Sequence, residues 1–320
     1  MASSHLVKIF VAVVFFAWMA HSGRINLHQV VAGLVHYPAM LAMLLLLFLQ
    51  PGITAWRWNQ LLKAQRIRLP YQRAFGLTMI GLLFNVATPG AVSGDVLKGY
   101  YLTRATGARG LATAVSLLMD RVLGLLGIFL LAGLMVLTHF RDLIQSPGSR
   151  TLGLAVVVGW IAGMCALYTT GPAGVRMFES LRLPRVGLRL IRSLSQYHKN
   201  LSVIPISIAA SVLSHLLSCL AYYIALRSVA ATLDLSIAYF FLLVPLGFVA
   251  TALPVSPAGI GIGQAAFFAL FRILSAHHAS AAANAFTVYQ LAVILVSLSG
   301  FYWYFSYKEI RVEGHEQSNC

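Results

Sequence analysis

Long apolar runs, each close to the ~20 residues that cross a bilayer, alternate along this chain with short segments that hold nearly all of its charge. The pattern predicts six full spans, at about Leu6–Ser22, Tyr37–Trp58, Leu111–Thr138, Leu152–Thr170, Leu201–Leu226 and Ala282–Phe305. A short amphipathic piece, Leu27–His36, joins the first two, and Gln50, Pro51 and Gly52 interrupt the second. Trp56 and Trp58 close the second span and Phe301, Tyr302, Trp303, Tyr304 and Tyr307 close the last, as aromatic residues do at a membrane interface. The run Leu6–Ala20 also has the length of a signal-peptide core, but the n-region holds only Lys8 as a base, and a retained first helix completes the topology.

Two apolar stretches break the pattern. Ala74–Leu102 is split by Pro89, Gly90 and Gly94, and Ile237–Leu274 by Pro254, Pro257, Gly259, Gly261 and Gly263. Broken helices at membrane depth occur where backbone lines a protected cavity. Both stretches are therefore read as re-entrant hairpins. The alternative is eight full spans.

Charge decides between these readings. Cytoplasmic loops carry excess Lys and Arg. Asn59–Arg73 holds Lys63, Arg66, Arg68 and Arg73, and Gly171–Asn200 holds Arg176, Arg182, Arg185, Arg189, Arg192 and Lys199. Six spans and two hairpins put both loops, the Lys98–Arg109 stretch and both termini on the cytoplasmic side. Eight spans would send Lys98–Arg109 outside. The hairpins then enter from opposite faces, the pattern of an inverted repeat. Part of the second loop reads as an amphipathic surface helix. Gly159 and Gly163 in the fourth span read as helix-packing residues.

Composition agrees with this architecture. The chain of 320 residues is 59% hydrophobic and 10% charged, with a mean hydropathy of +0.81. It reads as one all-α transmembrane domain over residues 1–320, with no segment between spans long enough for a soluble catalytic domain. The net charge of +15 lies in loops between spans, which argues for positive-inside topology and against nucleic acid. Cys165, Cys219 and Cys320 form neither a disulfide framework nor a metal-site spacing, and no cofactor or metal is expected.

The candidate chemistry lies at the breaks. Asp95 and Asp120 are the acidic residues that fall near or within apolar segments, and a charge there costs at least ~2.5–3.5 kcal/mol unless it meets a partner or a cavity. Asp95 with Lys98, and Asp120 with Arg121, are expected to form an ion network, either as a structural lock or as a headgroup or proton site. The glycines at each break permit close backbone approach and positive φ. Half-helix N-termini after the breaks offer N–H groups to anions such as phosphate. In the fifth span Ser207, Ser211, Ser214, His215, Ser218 and Tyr222 share one helical face, read as helix-packing contacts or a cavity wall.

These motifs resemble the flippase-like, lysylphosphatidylglycerol synthase transmembrane family, the membrane half of the multiple peptide resistance factor and its stand-alone relatives. Pro89, Gly90, Gly94 and Asp95 match its P-G-x-x-G-G-D-x-x-R pattern, with Ser93 for a glycine and Lys98 for the arginine. Asp120, Arg121 and Gly124 match D-R-x-x-G. Leu253, Pro254, Ser256, Pro257, Gly259 and Gly261 match L-P-x-S-P-G-G-x-G-x-x-E, with Ala258 for glycine and Gln264 for the glutamate. The segment Ala55–Trp58 is also similar.

The resemblance implies a protein of the bacterial inner membrane that translocates or presents a phospholipid, hopanoid or glycolipid. The soluble aminoacyl-transferase half is not seen, so lysyl transfer is not expected. The expected substrate-binding set is Asn85, Pro89, Gly94, Asp95, Lys98, Asp120, Arg121, His215, Pro254, Ser256, Gly259, Gly261 and Gln264. A lipid headgroup phosphate would sit between the hairpins on Lys98 and Arg121. The expected partner is a membrane lipid with an anionic headgroup, with oligomer formation left open. The alternatives are an accessory subunit of a lipid-modifying synthase or glycosyltransferase, and a membrane-embedded headgroup transferase.

Overall fold

In hydrocarbon every backbone N–H and C=O must be paired inside the protein, so apolar runs of this length fold as helices. The computed structural model describes residues 19, 21–87, 93–139, 141, 147–180, 185–200, 202–230, 235–252, 259–274 and 276–306. The predicted first span lies almost wholly outside the described residues, as do Pro89, Gly90, Pro254, Ser256 and Pro257.

The described helices are α1 (Leu27–Val35), α2 (Tyr37–Ala64), α3 (Tyr71–Ala87), α4 (Ser93–Thr106), α5 (Gly110–Thr138), α6 (Pro147–Thr169), α7 (Pro172–Ser180), α8 (Arg185–Leu194), α9 (Val203–Val229), α10 (Ile237–Thr251), α11 (Ile262–Leu274) and α12 (Ala279–Leu298). Helices α2, α5, α6, α9 and the stretch Ala276–Ser306 that contains α12 are long and apolar enough to cross a membrane. The protein is an all-α polytopic membrane protein, and these five correspond to the second to sixth predicted spans.

One detail of the second span differs from expectation. Helix α2 runs unbroken through Gln50, Pro51 and Gly52. A proline removes a single N–H and with it one helical bond, to the carbonyl four residues back, and a long helix continues past such a defect. The Thr54 hydroxyl donates to the Pro51 carbonyl at 3.0 Å and the Tyr71 hydroxyl to the Gly52 carbonyl at 3.2 Å.

The broken stretches fold as antiparallel pairs. In the first, α3 packs on α4 so closely that the Gly81 carbonyl lies against Gly94. In the second, α10 packs on α11 with Gly247 beneath the Phe267 ring. These four helices have 17, 14, 15 and 13 residues. At 1.5 Å per residue they rise about 20–26 Å, short of a ~30 Å hydrocarbon layer.

The ends of the bundle can be read from side-chain contacts. At one end Asn59, near the end of α2, donates to the Leu69 carbonyl before α3, and Gln65 after α2 bonds Ser193 of α8. The loop between α4 and α5 shares a pocket with those residues. Hence α3 begins and α4 ends at the basic end, which excludes the eight-span alternative. At the other end Asn284 of α12 accepts from the Asn26 N–H and donates to Gln29. There Gly33 of α1 meets Ser228 and Val229 of α9, and Gly148 of α6 meets Ile273 of α11. The second hairpin begins after α9 and ends before α12, so it enters from this end. The hairpins enter from opposite ends of the bundle, as the charge pattern requires.

The packing glycines behave as read. A Cβ on Gly159 or Gly163 would meet Phe129 or Leu126 of α5, which sets the α5–α6 seam. Gly94 is more restrictive, because its Cβ would fall 2.0 Å from the Gly81 carbonyl oxygen. Backbone cannot yield there as a side chain does. We expect Gly94→Ala to destabilise the fold by about 1–3 kcal/mol or more, read by thermal unfolding in detergent. Gly110→Ala, whose Cβ meets nothing within 4 Å, is the control. Equal stability in the two would show that the hairpin relaxes.

Candidate functional site

Near its C-terminal end α2 carries Arg57, Trp58 and Asn59 in succession, and all are buried. Successive helical residues point about 100° apart, so this turn reaches three neighbours at once. The Arg57 guanidinium donates through Nε to Asp120 Oδ1 of α5 at 2.9 Å and through Nη1 to Ser211 Oγ of α9 at 2.6 Å. Trp58 Nε1 donates to Ser116 Oγ at 3.3 Å. Asn59 pins the loop before α3.

Trp58 is 0% exposed, so it is not the interface anchor that its place beside a basic loop suggests. Trp56, at 41%, fits that role. The Trp58 ring serves instead as a platform. Lys98 Nζ of α4 stands 3.8 Å from its centroid. Lys98 is only 5% exposed, and among the described residues no carboxylate lies within ion-pair distance of it. The carboxylates of Asp120 and Asp95 and the guanidinium groups of Arg57 and Arg121 all act on it electrostatically at longer range.

The expected pairings are exchanged. Asp95 bonds Arg121 Nε at 2.5 Å, not Lys98, and Asp120 bonds Arg57, not Arg121. The reason is helical geometry. Asp120 and Arg121 are adjacent on α5 and cannot face each other. Asp120 turns inward toward α2, and Arg121 turns outward toward α4. The result is a cluster of three cations, Arg57, Lys98 and Arg121, and two anions, Asp95 and Asp120. Among the described residues its basic side chains outnumber its acidic ones by one.

The two ion pairs differ in setting. Arg57 is buried and Asp120 largely so, with 7% and 15% of their side-chain surface exposed. Arg121 and Asp95 keep 42% and 26% of their side-chain surface and line an open groove of about 530 Å³ between α4 and α5. Tyr100, Thr103 and Thr113 line the same groove, and the two threonine hydroxyls are 3.3 Å apart. Lys98 lies behind this groove and not in its wall. The two cations expected to share a headgroup therefore approach it from different depths.

Two other expected residues are structural caps. The Asn85 side chain accepts the Gly94 N–H at 2.9 Å, and the Gln264 side chain accepts the Gly261 N–H at 2.7 Å. Each hairpin thus satisfies a helix-start N–H with its own amide, and those donors are not free for an anion. Gly259 and Gly261 take φ of +74° and +84°, the conformation for which glycine is suited. Gln264 also bonds Gln290 of α12 at 2.8 Å. No described contact links this second break to the charge cluster, so the expected meeting of the two hairpins around one ligand is not seen among the described residues. Pro89, Pro254 and Ser256 lie outside them.

The polar face of α9 divides in two. Ser211 joins the Arg57 network, and His215 Nε2 lies 3.0 Å from the Gly124 carbonyl. Tyr222 instead stacks on Phe267 at 4.6 Å and donates to the Ala282 carbonyl, which is helix packing. His215 is thus a hydrogen-bonded interior histidine one turn from the cluster.

A family model described as the lysylphosphatidylglycerol synthase TM region covers residues 5–300. No curated protein matches the chain.

Proposed function

The chain belongs to the lysylphosphatidylglycerol synthase transmembrane family, which ties it to lipid modification, and from that premise we propose that it moves or presents an anionic lipid across a bacterial inner membrane. In this reading both termini and the basic end face the cytoplasm. The observation that carries it is the excess positive charge buried beside an open groove. A membrane protein keeps such a charge at considerable cost, and a phosphate-bearing headgroup would neutralise it.

The geometry supports a partner exchange. A headgroup phosphate enters the groove and takes the place of Asp95 on Arg121. Guanidinium binds phosphate in a bidentate fork as readily as carboxylate. Thr103, Thr113 and Tyr100 supply hydroxyls along the groove. The displaced Asp95 turns to Lys98, three residues on along the same helix, where side chains can meet. Arg57 and Asp120 stay paired and hold α2, α5 and α9 in place. The acyl chains remain in the bilayer, beside the open side of the groove.

The test is a reconstituted assay. Proteoliposomes carrying a fluorescent anionic phospholipid report its movement by accessibility to an impermeant quencher. Arg121→Gln is expected to slow protein-dependent movement about tenfold or more, as loss of a charge-assisted hydrogen bond implies. A wild-type rate in that variant, or no protein-dependent movement at all, would contradict the reading.

A further inference from the structure

A second concavity lies at the basic end, separate from the charge cluster. It has a volume of about 950 Å³, and four arginines from separate turns of the chain line it: Arg66 after α2, Arg109 before α5, and Arg189 and Arg192 on α8. Among the described residues its lining contains no acidic side chain. Arg192 bonds Glu179 at 2.8 Å, and no carboxylate pairs with the other three among the described residues.

A positive-inside bias requires bases on one side of the membrane. It does not require them to converge on one hollow, and here the fold holds them there. Gln65 Nε2 donates to the Ser193 carbonyl at 2.9 Å and Ser193 Oγ to Gln65 Oε1 at 3.3 Å, a reciprocal pair that fixes α8 to the end of α2. The other face of α8 places Leu190 and Leu194 against Val115 and Met119 of α5. Arg66 takes a left-handed φ of +61°, a conformation uncommon for a side chain other than glycine or asparagine. The floor adds to the field. Arg109 is the N-cap of α5 and gives no side-chain cap, so the first turn of a 29-residue helix opens toward the arginines.

The geometry points to a binding site for a phosphate-bearing anion in this pocket, either the headgroup of an anionic phospholipid in the facing leaflet or a free phosphate compound from solution. Guanidinium groups arranged around a hollow recognise phosphate oxygens through paired N–H donors. The site does not depend on the transport reading and does not use the Asp95–Arg121 groove.

The full chain, in nanodiscs of zwitterionic phosphatidylcholine, is titrated with phosphatidylglycerol in one arm and with inorganic pyrophosphate in the other. Arg109→Gln/Arg189→Gln is expected to weaken one or both about tenfold or more. A loss confined to phosphatidylglycerol identifies a headgroup, and a loss that includes pyrophosphate identifies a site open to free phosphate. Arg176→Gln removes an exposed base outside the pocket and should bind as wild type does. Repeating the titrations in a Lys98→Met background removes the central site and should leave the pocket's share in place, so the two sites fail separately. Equal affinities for both probes in wild type and the double variant, or the same loss in Arg176→Gln, would overturn the assignment.

Discussion

Asp120→Asn is expected to lower stability by about 3–5 kcal/mol, the cost of leaving a buried ion without its partner. Arg57 is 6% exposed. Its remaining described contact is the Ser211 hydroxyl, a neutral acceptor that cannot balance a guanidinium. Asparagine keeps the shape of Asp120 and removes only the charge, so the loss is electrostatic and not a cavity effect. Replacing both partners with leucine should recover most of the loss, since a well-packed apolar pair often equals a buried ion pair. Denaturant titration in a mild detergent measures both values. Wild-type stability in Asp120→Asn would mean that Arg57 is neutralised elsewhere. Transport lost in this variant would follow from the weakened scaffold, and does not by itself make Asp120 a substrate ligand.

Lys98→Met is expected to do the opposite. The ammonium is buried over Trp58, and among the described residues no carboxylate is ion-paired with it. Burying such a charge costs ~2.5–3.5 kcal/mol, and a cation–π contact returns about 0.5–2 kcal/mol. Methionine fills a similar volume at neither cost, so stability should hold or rise by about 1–2 kcal/mol. Headgroup binding should weaken about tenfold or more, because Asp95 loses the partner it needs when phosphate takes Arg121. A gain in stability with a loss of function is the mark of a residue kept for its chemistry. Reduced stability with unchanged binding would make Lys98 a structural cation.

Much of the fold is legible in the sequence because hydrocarbon leaves few solutions. Apolar runs of span length become helices, and the segments flanking each Pro/Gly break become short helices packed on each other. The basic loops told which end each hairpin uses. Residues 107–112 do share a pocket with the loops after α2 and around α8. Pro51 misled because a proline inside a long apolar run reads as a break, while a helix of 28 residues runs on past the loss of one backbone bond.

The site was less legible. Asp95, Lys98, Asp120 and Arg121 stood out as charges at membrane depth, and all four join one cluster. Arg57 did not, because it precedes a run of loop bases and reads as another of them. Its signal was position: it lies seven residues before the end of α2, about 10 Å inside the helix, where a base needs a partner. The pairing of Asp120 with Arg121 could have been set aside from helical geometry alone, since neighbours on a helix diverge. The amides at Asn85 and Gln264 looked like ligands because they sit beside the breaks. A broken helix must first satisfy its own N–H groups, and these two side chains do that.

The most direct test of the account is lipid mass spectrometry on the protein purified gently from its own membranes, beside the Lys98→Met variant. The account predicts one anionic lipid class enriched over bulk membrane in the wild type and reduced in the variant to the share that the basic-end pocket holds. Bulk composition in the wild type, or the same enrichment in both proteins, would contradict it.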